Sequence, residues 1–103
     1  MYIYDFDNEE VIIESVDNLI TIKDKEIKSN ILLTEKNLLI FKNIKNDSAL
    51  AGRELYEMPE YELIIKIDLN KIKYSVEENN TYIKIGNEEI ILYDFDLNRA
   101  KNN

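Results

Sequence analysis

The sequence predicts an all-β fold with a minor helix: one antiparallel barrel or sandwich of seven or eight strands. Three observations carry this. Apolar and polar residues alternate with a period of two along most of the chain, as half-buried strands require. Short polar pairs that tolerate turn geometry separate the alternating runs. Only two glycines and one proline occur in 103 residues, 45% of which are hydrophobic, a composition that folds around a core.

Taken in order, residues 10–16 and 19–23 form the first two expected strands, and Asp24-Lys25 turns into a third at 26–34. The polar stretch Glu35 to Asn37 leads into strand 38–43. Residues 46–60 then lose the alternation. Asp47 or Ser48 is placed to cap a short helix ended by Pro59, whereas Gly52, costing about 1 kcal/mol against Ala inside a helix, makes a loop equally compatible.

Alternation resumes at 61–67, where Leu63, Ile65, Ile67 and Leu69 share a face. In strand 71–77, Ile72, Tyr74 and Val76 alternate with Lys71, Lys73 and Ser75. Asn79-Asn80 turns into strand 81–86, and Gly86-Asn87 turns into the last, 89–95. The string YDFD occurs at Tyr4 to Asp7 and at Tyr93 to Asp96 in unrelated surroundings, which reads as two edge strands sharing a local solution.

Residues 1–103 make one domain, large enough to bury roughly 60 to 65% of the unfolded surface. The formal net charge is -8, which repels nucleic acid. Residues 1–17 hold six acids and no base, while residues 18–45 hold six lysines against three acids. With no cysteine there is no disulfide framework, in keeping with a reducing cytoplasm. The acidic N-terminus does not look like a secretory signal, and the longest strongly apolar stretch, Leu38 to Phe41, is too short to span a bilayer. A cytoplasmic chain without stable membrane insertion is expected.

The residue inventory argues against catalysis, cofactors and metals. Histidine is absent, and glycine is too scarce for a phosphate-cradling loop. The pairs Glu9-Glu10, Glu77-Glu78 and Glu88-Glu89 place their carboxylates on opposite faces of a strand, so they do not converge. Asp5 to Glu10 suggests a calcium loop but has no glycine at its sixth position and Val16 where a bidentate acid belongs. A solvated acidic terminus is the simpler expectation.

The stretch Ile31-Leu32-Leu33-Thr34-Glu35-Lys36-Asn37-Leu38-Leu39-Ile40-Phe41 resembles the hairpin of pleckstrin-homology-like (PH-like) and GRAM-like domains, G-x-L-x-L-T, a turn, then R-L-[LIV]-F. In this reading Thr34 closes the first strand and Phe41 drives into the barrel. Ile67-Asp68-Leu69-Asn70-Lys71-Ile72 is similar to the I-P-L-x-x-I strand entry of the same superfamily. The chain departs from the pattern at Ser29, Asn37 and Asp68, where Gly, Arg and Pro are usual. The resemblance covers about residues 10 to 95 and implies a non-catalytic adaptor of bacterial type that binds a protein. It also implies a C-terminal closing helix, for which only Asp96 to Asn103 remain; Asp96 can cap a turn or two through Arg99 and Lys101. The open barrel end must then be covered by residues 46–60, by a second copy in a homodimer, or by a partner.

Two groups of contact residues follow. Leu50, Arg53, Leu55, Tyr56 and Met58, beside Pro59 and Tyr61, form the candidate protein-binding surface, because aromatic and Met side chains bury area at modest entropic cost. Lys23, Lys25 and Lys28, with Lys42 and Lys45 nearby, are candidates for an anionic lipid headgroup, by resemblance to pleckstrin domains that use basic residues on early strands. Asp24 and Glu26 interleave with these lysines as on a water-facing edge. A rival class is a small acidic inhibitor or immunity protein that neutralises a basic toxin or nuclease through electrostatic steering.

Overall fold

A computed structural model describes residues 1–44 and 59–102. Eight strands and one helix follow in chain order: β1 Tyr2–Ile3, β2 Val11–Ile22, β3 Lys25–Thr34, β4 Asn37–Asn43, β5 Tyr61–Asp68, β6 Lys73–Glu77, β7 Asn80–Ile85, β8 Glu88–Leu92 and α1 Leu97–Lys101. They form one open sheet in the order β1-β5-β4-β3-β2-β8-β7-β6. Every pairing is antiparallel except β1 with β5. Residues of β2, β3, β4, β5, β7, β8 and α1 meet in a single buried cluster, so the sheet curls over on itself. The predicted all-β class is the observed one.

Residues 10–16 and 19–23 are not two strands. They join in β2, whose pairing with β3 slips between Ser15 and Asn18. Polar side chains carry the backbone across this bulge. Asp17, at φ 54, donates its N–H to Asn30 Oδ1 at 3.0 Å, and Asn18 Nδ2 donates to the carbonyls of Leu19 and Tyr93. The bulge redirects β2 so that its far end, Ile20–Ile22, pairs with both β3 and β8.

Turn positions also shift by one residue. Lys23-Asp24 (φ 52 and 62) and Glu78-Asn79 (φ 51 and 67) are left-handed pairs, in place of the expected Asp24-Lys25 and Asn79-Asn80. Two consecutive positive φ values match the right-handed twist of the flanking strands, and Asp and Asn tolerate them. The Gly86-Asn87 turn stands as expected, with Gly86 at φ +59.

Burial departs from the sequence pattern at β3 and β4, which are buried on both faces over 29–34 and 37–41, and at β5, where Leu63 does not share the face of Ile65, Ile67 and Leu69 because the β4–β5 register shifts between Ile40 and Phe41. Ile31, Leu33, Leu38 and Ile40 face the main core. Leu32, Leu39 and Phe41 face the other way, into a second cluster covered by Tyr2, Tyr4, Phe6, Tyr61 and Leu63. Phe41 therefore does not enter the barrel. It is fully buried on the outer side of the sheet, under an arm formed by residues 1–10. The unbroken apolar run in β4 is what burial on two faces demands.

Neither YDFD copy is a strand. The first belongs to the arm and ends in a left-handed pair, Asp7 (φ 47) and Asn8 (φ 68); the second turns the chain from β8 into α1. The short helix is capped as expected: Asp96 Oδ1 accepts the Arg99 N–H at 3.1 Å. Leu97 and Ala100 are buried in the main core, and Thr81 Oγ1 binds the Phe95 carbonyl while accepting the Leu97 N–H.

Candidate functional site

Two edges end the sheet. One is β1, two residues long; the other is β6, Lys73-Tyr74-Ser75-Val76-Glu77, which among the described residues pairs only with β7. Among the described residues no hydrogen bond engages the outward-facing backbone of β6. A free edge of this kind is a template for an added strand.

The register fixes what the edge presents. Lys73 lies opposite Lys84 and Ser75 opposite Tyr82 on β7, which in turn lie opposite Glu89 and Ile91 on β8. Lys73, Ser75 and Glu77 are exposed on the outer face, while Tyr74 and Val76 are half-buried on the inner one. α1 fixes Tyr74: its hydroxyl donates to Asn98 Oδ1 at 2.6 Å, and Lys101 Nζ sits 5.5 Å from its ring centroid. The helix thus braces the inner face and leaves the edge open.

Consecutive strands β5 and β6 are not neighbours in the sheet. Where they part, a cleft of about 400 Å³ is lined by Lys66, Lys71, Lys73 and Lys84 with Asp68, over Ile67, Ile72 and Ile85. Four lysines within a chain of net charge -8 make a local positive corner beside the N-terminal end of β6. A segment count carried past residue 45 shows the lysines of 66–84, but only the fold brings them together.

Sequence-predicted residues are distributed differently. Leu50, Arg53, Leu55, Tyr56 and Met58, and the helix-or-loop alternative over 46–60, lie outside the described residues apart from Pro59 and Glu60. Lys23 sits in the β2–β3 turn, and Lys25 and Lys28 are exposed on β3. Lys28 lines a cleft with Lys42, Asp17, Ser29, Asn30 and Asn43, which neither Lys23 nor Lys25 borders.

The acidic terminus is not simply solvated. Glu9 Oε1 accepts hydrogen bonds from Thr34 Oγ1 and Asn37 Nδ2, both at 2.7 Å, so it latches the arm to the β3–β4 turn. These bonds, Thr34 foremost, together with the Lys66 charge, hold its carboxyl below the usual 4.5 against the opposing effect of burial. Asn37 is thus a latch residue. At the other end of the arm, Tyr2 donates its hydroxyl to Glu14 and accepts from Asn30 Nδ2 at 2.9 Å. Burial, and then the Glu14 bond, push the Tyr2 phenol up from its ordinary 10.0.

Among the described residues no three His, Cys, Asp or Glu side chains gather as metal ligands, and no helix is long and apolar enough to cross a membrane. The fold defines the class: a curled antiparallel sheet, a long bent first hairpin strand, and a C-terminal helix docked at its mouth. No protein-family model matches the chain, and no curated protein matches it. Among solved structures, one described as "Critical structural role for the PH and C1 domains of the Vav1 exchange factor" aligns with a TM-score of 0.56 over 90% of this chain at 16% identity. This chain spans 23% of that chain's length. The fold is PH-like.

Proposed function

We propose that this chain is a non-catalytic binding module that recognises protein through the free edge of β6. The observation that carries the reading is the outward-facing backbone of β6, which no hydrogen bond among the described residues engages, at the end of an eight-stranded sheet and braced by α1. An added strand gains main-chain hydrogen bonds there, and side chains alternate between the exposed outer face and the half-buried inner one. The residue inventory, without histidine or cysteine, supports binding over catalysis and agrees with a cytoplasmic setting. The hairpin of residues 29–41 supports a GRAM-like variety of the fold, and the wealth of Ile, Lys, Asn and Glu supports a bacterial one.

The test is amide hydrogen exchange on the chain before and after affinity capture of its partner from native cell extract. Slowed exchange over Lys73–Glu77 in the complex is the expected result. Protection confined to other strands, with β6 exchanging as in the free chain, refutes the edge. Headgroup binding is the weaker reading, since Lys23 and Lys25 do not line the cleft that contains Lys28, and Asp17 does.

A further inference from the structure

The free edge of β6 is chemically self-complementary. Reading Lys73-Tyr74-Ser75-Val76-Glu77 against a reversed copy of itself, with Ser75 facing Ser75, sets Lys73 opposite Glu77 and Tyr74 opposite Val76, each twice. We propose that β6 pairs antiparallel with β6 of a second copy about a two-fold axis through Ser75, joining two sheets into one. This rests on the edge reading above and names its partner as the chain itself.

Residues opposite each other in an antiparallel pair share a face and approach to about 4.5–5.5 Å. On the outer face the dimer therefore creates the row Lys84, Lys73, then Glu77 of the second copy, repeated by symmetry. Within one copy Lys73 and Lys84 are directly opposite, and among the described residues neither makes an ion pair. Such like-charge pairs are unfavourable. Lys84 has Glu89 opposite it on β8, whereas Lys73 at the edge has no acidic cross-strand neighbour until Glu77 of the second copy supplies one.

The central outer row becomes Tyr82, Ser75, Ser75 and Tyr82, with two small hydroxyls that fit between the flanking aromatic rings. The inner face places Val76 against Tyr74 twice, covering residues that the single copy leaves half-buried.

Symmetry makes the contact self-limiting. An isologous interface uses the same patch on both copies and closes at two. The sheet cannot grow further at its other end, because β1 offers only two residues.

The test uses charge reversal and concentration-dependent light scattering on the full chain. Lys73→Glu and Glu77→Lys should each weaken the dimer at least about tenfold, since each turns two attractive contacts into repulsive ones. The double variant K73E/E77K should restore it. An equimolar mixture of the two single variants should form a heterodimer, because each then supplies what the other lacks.

Glu77→Lys discriminates local pairing from overall repulsion: exchanging one negative for one positive charge moves each copy from -8 to -6, which by itself favours association. Lys73→Glu leaves folding secure by giving Lys84 an opposite charge, and circular dichroism checks it. A chain that stays monomeric to millimolar concentration, or a dimer indifferent to both reversals, overturns homotypic pairing. Hydrogen exchange over Lys73–Glu77 in complexes captured from extract reports separately on the edge: protection there with a monomeric pure chain means a foreign strand, and its absence means that the edge reading fails too.

Discussion

Phe41 and Tyr2 offer a direct test of the second, outer core. Phe41 is fully buried, and its ring meets Tyr2 at 4.7 Å between centroids and 63°, an edge-to-face contact. Tyr4 and Phe6 lie farther out at 6.0 and 6.4 Å. Truncating Phe41 to Ala removes a buried aromatic side chain and leaves a cavity, which costs about 3–5 kcal/mol. That loss alone would also follow if the ring filled the main core. The discriminating quantity is its coupling to the arm. Tyr2→Leu and Phe41→Leu keep much of the apolar volume while removing the ring pair, worth about 0.5–1.5 kcal/mol beyond area burial. A double-mutant cycle by urea denaturation, followed by tyrosine fluorescence, should therefore return a coupling near 1 kcal/mol. Additivity within about 0.3 kcal/mol would mean that the arm does not seat on Phe41, and the two-faced core would be wrong.

Glu9 has a folded-state pKa below its ordinary 4.5, so its contribution is present above that pH and is lost as the pH falls through the lower value; Tyr2, Tyr4 and Phe6 ring resonances should then shift together. Glu9→Gln should cost about 1 kcal/mol at neutral pH and remove that acid-dependent step. At Gly86 an added Cβ would meet nothing within 4 Å, so Gly86→Ala should cost only the left-handed backbone strain, about 1 kcal/mol by thermal denaturation, with no change in the sheet's amide shifts. Asp96→Ala removes the cap of α1 and should cost about 1 kcal/mol, with exchange at Arg99 speeding up before that of β7.

The class of fold was legible because it rests on local physics. Alternation in Ile72, Tyr74 and Val76 marks a strand with one buried face whichever strand it joins. Polar pairs mark hairpins to within a residue, since the left-handed requirement is met by Asp or Asn at either neighbouring position. Asp96 is legible as a cap because its side chain serves an N–H three residues away. The continuity of 10–16 with 19–23 is not legible, because a bulge breaks the period without ending the strand; Asn30 on the neighbouring strand and the long-range bond from Asn18 to Tyr93 keep it whole. The face that Phe41 takes is not legible either, because an apolar run, Leu38 to Phe41, looks the same whether one face or both are covered.

The candidate site divides the same way. Sequence by itself determined that Lys73 to Glu77 is an extended segment with basic and acidic ends, and that the chain contains no histidine or cysteine. It did not determine that this segment is an edge, which depends on β8 and β7 stacking beyond β2 while β5 turns to β1. Sheet order comes from the long-range burial of Ile20, Ile83, Ile90 and Leu92 in one core, and no local pattern encodes it. Nor could composition show that the acidic terminus folds back, since Glu9 differs from Glu10 only in having Thr34 and Asn37 within reach. Local hydrogen bonding and side-chain period are written along the chain; which face is covered, and which edge is left free, is decided by residues that meet only when it folds.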